Sequence, residues 1–73
     1  METTCRITEI VKPTKARMFE DLQVGDTLIL QTTIKHLKHY KPYVLITCPR
    51  LEVSIRKSFN ELSNILTNFK LEN

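Results

Sequence analysis

The segment Leu51-Glu52-Val53-Ser54-Ile55-Arg56 alternates apolar and polar residues without a break and closes on Lys57. In an extended chain successive side chains point to opposite faces, so the pattern specifies a half-buried strand. Leu51, Val53 and Ile55 face inward, and Glu52, Ser54 and Arg56 face outward. Just upstream, Pro42 opens Tyr43-Val44-Leu45-Ile46-Thr47-Cys48, an apolar run of strand length, and Pro49-Arg50 suits a short turn. The two segments read as a hairpin. The rest of the chain must cover that hairpin within 73 residues. A chain of this size hides only roughly 60% of the surface its unfolded form exposes. One domain spanning 1–73 follows, with nearly every apolar residue assigned to the core and no room for a deep cleft.

The remaining elements come from the same reasoning. Cys5-Arg6-Ile7-Thr8-Glu9-Ile10-Val11 is rich in β-branched residues and stops at Pro13, which cannot donate a ladder hydrogen bond. From Pro13 to Asp26 no alternation persists, yet Met18, Phe19, Leu22 and Val24 need burial. A structured loop with one helical turn is expected. It ends at Val24-Gly25-Asp26, where the only glycine in the chain suits a tight turn at positive φ. Thr27 to Ile34 then reads as a strand with Leu28, Leu30, Thr32 and Ile34 on one face. Ser58-Phe59-Asn60-Glu61 has the form of a capping box, so a helix begins there. Phe59, Leu62, Ile65, Leu66 and Phe69 recur at helical spacing. Asn68 suits a left-handed C-cap, after which Phe69-Lys70-Leu71-Glu72 alternates as a closing strand.

The fold expected is therefore mainly β with one short helix, a small SH3-like five-stranded barrel that hides its own strand edges. The resemblance is carried by Leu22-x-Val24-Gly25-Asp26-x-Leu28 and by the helix placed before the last strand. An OB-like barrel is the alternative, and it places its helix between the third and fourth strands.

Lys and Arg total 11 against 8 acids, a formal charge of +3. That excess permits an anionic partner without requiring one. No apolar run reaches the ~20 residues that span a bilayer, and Met1-Glu2-Thr3-Thr4 lacks the basic start and apolar stretch of a secretion signal, so the expected setting is the cytoplasm with no membrane contact. Cys5 and Cys48 then read as reduced, buried thiols. Nucleophilic catalysis needs a nucleophile, a base and an orienting group that meet in space. Here the two histidines share one loop and the only aspartates are Asp21 and Asp26, so the expectation is a protein that is not an enzyme and carries no cofactor. His36-x-x-His39 lacks the second close ligand pair of a structural zinc site, so no metal is expected either.

The polar stretch that stands out is Lys35-His36-Leu37-Lys38-His39-Tyr40-Lys41, with three lysines, one aromatic ring and no acid. Lysines there meet phosphates while Tyr40 or a histidine stacks on a base, as in small barrels that hold single strands. The plain alternative is a solvated loop kept soluble by its charge. The candidate binding residues are thus Lys35, His36, Lys38, His39, Tyr40, Lys41 and Arg50, with Arg6, Arg56 and Lys57 as additions that depend on strand register.

Three blocks, Ile7-Thr8-Glu9-Ile10-Val11-Lys12-Pro13-Thr14, Met18-Phe19-x-x-Leu22-x-Val24-Gly25-Asp26 and Lys57-Ser58-Phe59-Asn60-Glu61-Leu62-x-Asn64-Ile65-Leu66-x-Asn68-Phe69, resemble small early proteins encoded by bacteriophages and prophages of Gram-positive bacteria. The resemblance implies a viral origin and transfers no catalytic residue. The expected function is a phage-encoded module that binds nucleic acid through the 35–41 loop. The alternatives are a host-takeover or anti-defence protein that binds and blocks a bacterial protein, and a homo-oligomer paired through a strand edge near Thr32-Thr33 or Leu71.

Overall fold

Period-two alternation becomes a sheet whose inner face is apolar from strand to strand. The computed structural model describes residues 2–33 and 42–73. It contains β1 (Glu2–Ile10), β2 (Thr27–Thr33), β3 (Tyr43–Cys48), β4 (Val53–Ser58), α1 (Phe59–Leu66) and β5 (Phe69–Glu72), with a 3-10 turn at Phe19–Asp21. The strands form one antiparallel sheet in the order β4-β3-β2-β1-β5. Ile46 lies opposite Leu30 on one side and Ile55 on the other, Cys5 opposite Leu28, and Cys48 opposite Val53. Of these, Cys5, Leu28, Ile46 and Cys48 join Ile7, Val44 and Phe69 as the sheet's part of a single buried cluster, with Leu30, Val53 and Ile55 partly buried against it.

Ile7 and Ile10 are three residues apart, which in a regular strand puts them on opposite faces. A bulge between Ile7 and Glu9 inserts one extra residue against β5. Both isoleucines therefore reach the core, Ile7 opposite Leu71 and Ile10 opposite Phe69.

The loop between β1 and β2 closes over that face. Met18, Phe19 and Leu22 are buried, and the Phe19 and Phe69 rings meet at 6.3 Å between centroids. Gly25 has φ 96°, and its N–H donates to the Ile7 carbonyl at 2.8 Å while the Ile7 N–H donates to the Asp26 carbonyl at 2.9 Å. The loop-closing turn is thus stitched onto β1. Val24 departs from expectation at 61% exposed, because it sits within the Gln23–Asp26 turn and points to solvent.

Several element ends also differ from the sequence reading. β1 runs from Glu2 to Ile10 rather than from Cys5 to Val11, because β2 offers partners as far as Gln31, opposite Glu2. Leu51 and Glu52 belong to the β3–β4 turn; Glu52 has φ 54° and its N–H donates to the Pro49 carbonyl at 3.2 Å, so β4 starts at Val53. Ser58 caps α1, its Oγ accepting the Glu61 N–H at 3.2 Å. The Glu61 carboxylate takes the Ser58 hydroxyl at 3.3 Å, whereas a full capping box would send it to the Ser58 backbone N–H. Phe59 is 46% exposed, at the edge of an apolar stripe that Leu62 centres. Asn68 is not left-handed: the helix ends at Thr67 in the right-handed region, and the Asn68 carbonyl instead accepts the Val11 and Lys12 N–H groups at 2.8 and 3.2 Å.

β4 and β5 are the sheet edges and do not pair with each other; α1, which links them, packs against β3, β4 and β5. Thr32 and Thr33 pair with β3 and so offer no open edge, while Leu71 does lie on an edge strand.

Candidate functional site

Lys35, His36, Lys38, His39, Tyr40 and Lys41 lie outside the described residues. Arg50 is described, and its side chain is engaged with its own fold. Its Nε–H donates to Asp26 Oδ1 at 2.6 Å, and Nη2 donates to Asp26 Oδ2 at 3.0 Å and to the Asp21 carbonyl at 2.8 Å. Asp26 Oδ2 also accepts the Gln23 N–H at 2.8 Å. This clasp ties the tip of the β3–β4 hairpin to the end of the β1–β2 loop. Asp26 is the one buried charged residue among those described, at 6% exposed. The hydrogen bond from Arg50 lowers its carboxyl below the usual range, helped by the Gln23 N–H and the Arg50 charge and opposed by burial. Asp26 in turn raises the Arg50 guanidinium above its ordinary value. Arg50 thus positions a loop rather than extending an open cationic patch.

The β4 edge carries a different basic feature. A depression of about 370 Å³ is lined by Arg17, Ser54, Ile55, Arg56 and Lys57. Four of these are consecutive on β4, with side chains that alternate between faces, so the depression runs along the strand's unpaired side. Arg17 arrives from the β1–β2 loop. Its placement follows from its neighbours: Met18 and Phe19 are 4% and 2% exposed, and Met18 has φ 70°, so the chain turns sharply there and leaves Arg17 exposed.

Arg56 projects from the outer face. Opposite it is Leu45, and one diagonal step away is Tyr43, whose ring lies beneath the guanidinium at 5.0 Å from the centroid. Such a contact is a cation–π interaction, which draws the guanidinium towards the aromatic face. Ser54 Oγ shares a hydrogen bond of 2.8 Å with Thr47 Oγ. Lys57 runs along the inner face opposite Val44, and its amino group stands 3.7 Å from Glu61.

No acidic side chain lines the depression, and among the described residues Arg17 and Arg56 make no ion pair. The β1–β5 side is the reverse. Arg6 is paired with Glu72, and Lys70 lies 3.8 Å from Glu9, so the charges there cancel locally. Among the described residues four cations, Lys12, Lys15, Arg17 and Arg56, make no ion pair, and two of these, Arg17 and Arg56, line the β4 depression beside Lys57, which keeps Glu61 as its partner. Arg56 and Lys57 were legible in the sequence as exposed or partly exposed cations, but Arg17 carried no signal, since only the loop's anchoring brings it to the same place.

Cys5 and Cys48 are unpaired thiols, 5% and 0% exposed, and burial pushes the Cys5 thiol up, away from its reactive form. Among the described residues no three His, Cys, Asp or Glu side chains converge, and no helix is long and apolar enough to cross a membrane. Comparison with family models, curated proteins and solved structures finds no match to this chain.

Proposed function

We propose that the protein is a non-enzymatic nucleic-acid-binding module, a small SH3-like barrel that holds phosphates along its β4 edge. The observation that carries this reading is the acid-free depression where Arg17, Arg56 and Lys57 meet. The 35–41 segment, which lies outside the described residues, ends two residues before Tyr43, the start of β3, and its three lysines add to the positive charge available to such a partner. The sheet order and the helix between β4 and β5 support the SH3-like type over the OB-like one. The resemblance to small phage proteins supplies a setting, the cytoplasm of a bacterial host.

Phosphate binding has a direct signature. Each contact releases counterions, so log K falls linearly with log salt, with a slope of roughly −0.7 per phosphate on a single strand. Titration of labelled oligonucleotides at low salt is expected to saturate and to weaken steeply as salt rises. Arg17→Glu with Arg56→Glu is expected to remove binding while the thermal transition stays in place, because both side chains are exposed. The absence of any saturable signal at low salt refutes the proposal. If, in addition, the chain drawn from nuclease-treated host lysate retains a stoichiometric protein, the blocking function takes its place.

A further inference from the structure

Phosphate contacts alone do not distinguish duplex from single strand. The depression at β4 carries more than charge: one of its cations already rests on an aromatic ring, with Arg56 above Tyr43 at 5.0 Å. We infer that this site takes an unpaired nucleotide, its base laid on the exposed Arg56 guanidinium beside Tyr43 and its phosphate held by Arg17, with Lys57, whose amino group stands 3.7 Å from Glu61, next to it. The inference rests on the nucleic-acid reading above and names the class of nucleic acid.

Three features support it. Arg56 lies on the outer, solvent-facing side of the sheet and is exposed, with its guanidinium carbon 5.0 Å from the Tyr43 ring centroid, so the group is open to a ligand from solvent. A planar guanidinium accepts a base on its open face. In a duplex both faces of an internal base are already covered by its neighbours, and the guanidinium has nothing to receive. Second, the depression is about 370 Å³, near the lower end of small-molecule sites. That is a unit-sized concavity. A duplex would instead need an element inserted in a groove or a broad array of cations. Third, the side chains have divided tasks: Ser54 offers a hydroxyl and Ile55 an apolar wall, while Arg17 and Lys57 approach from the loop and from the inner face.

An acidic peptide added as a strand to the β4 edge would use the same charges. The edge argues against it, because cations on an exposed strand are the usual device that prevents such pairing.

The test compares oligothymidylate with an abasic oligonucleotide of equal length, by fluorescence anisotropy at one low salt concentration. The phosphates are the same and only the bases differ. Tighter binding of oligothymidylate by roughly tenfold or more is expected, which is the range of one stacked base. The duplex is expected to bind no better than the abasic strand. Arg56→Lys, which keeps the charge and loses the plane, is expected to bring the ratio of oligothymidylate to abasic affinity towards one; Tyr43→Leu is expected to act in the same direction. Equal binding of the two oligonucleotides by the parent protein overturns the inference and leaves the phosphate reading standing. Absence of binding to either overturns both.

Discussion

Arg50 and Asp26 are 24 residues apart in the chain and form the most heavily hydrogen-bonded ion pair among the described residues. The value of the pair lies in what its removal would leave behind. Asp26 is buried, so in an Asp26→Ala variant the Gln23 N–H and the Arg50 fork lose their acceptor together. The expected loss is about 1–3 kcal/mol. The carboxyl is held below its unfolded value of about 3.9, so its contribution is complete above that pH and is lost as pH falls through the folded value. Urea unfolding from neutral pH down to acid should therefore show the parent chain losing stability below about pH 4 more steeply than Asp26→Asn. Parallel acid limbs for the two proteins would mean that the clasp carries no pH-linked stability. An arginine at a hairpin tip reads in the sequence as solvent-facing; it stays 43% exposed, and only its proximity to a buried acid fixes where its guanidinium goes.

The elements show where local patterns suffice. The alternation of Val53 to Arg56 and the Ser58 cap of α1 appear in the structure because each depends on neighbours a few residues away. The bulge at Ile7–Glu9 does not announce itself, since it arises from fitting β1 to β5, which lies more than sixty residues later. The β3–β4 turn is a similar case. Glu52 is an exposed residue in the left-handed region, where a side chain costs about 1–2 kcal/mol, offset in part by the greater chain entropy glycine would lose. Glu52→Gly is expected to raise stability by up to about 1 kcal/mol, or roughly 4–8 °C in Tm for a domain of this size. Met18 has a similar φ but is 4% exposed, so Met18→Gly should instead destabilise by about 2–5 kcal/mol through the lost core side chain. Opposite signs for these two substitutions in thermal melts are the check. A Glu52→Gly variant that melts lower would show the turn to be unstrained.

At the scale of the whole molecule, the chain leaves β4 and β5 as sheet edges and distributes charge unequally between them. The β5 side is neutralised by Arg6–Glu72 and Lys70–Glu9, whereas Arg17 and Arg56 stand without an acidic partner among the described residues at β4. Like charges on an open strand repel a second copy. Arg56→Thr combined with Lys57→Thr is therefore expected to increase self-association, measured by sedimentation at several concentrations against the parent protein. Unchanged sedimentation would show that the cations do not guard the edge. The same residues serve the proposed nucleotide site, so a surface that rejects another strand is also one that attracts phosphate.

The sequence by itself determined the number of strands, the position of the helix, the Gly25 turn and most of the core. These follow from periodicity and backbone preference, which act over a few residues. The tertiary structure decided the bulge that turns Ile10 inward, the exposure of Val24 and Phe59, the capture of Arg50 by Asp26, and the meeting of Arg17 with β4. Each depends on which distant segments share the sheet and on how the β1–β2 loop is anchored by Met18 and Phe19. Among the described residues the β4 site is visible for that reason only in the folded chain. A count of lysines points to the 35–41 loop, but uncompensated charge depends on where the acids also lie, and that is a property of the folded surface.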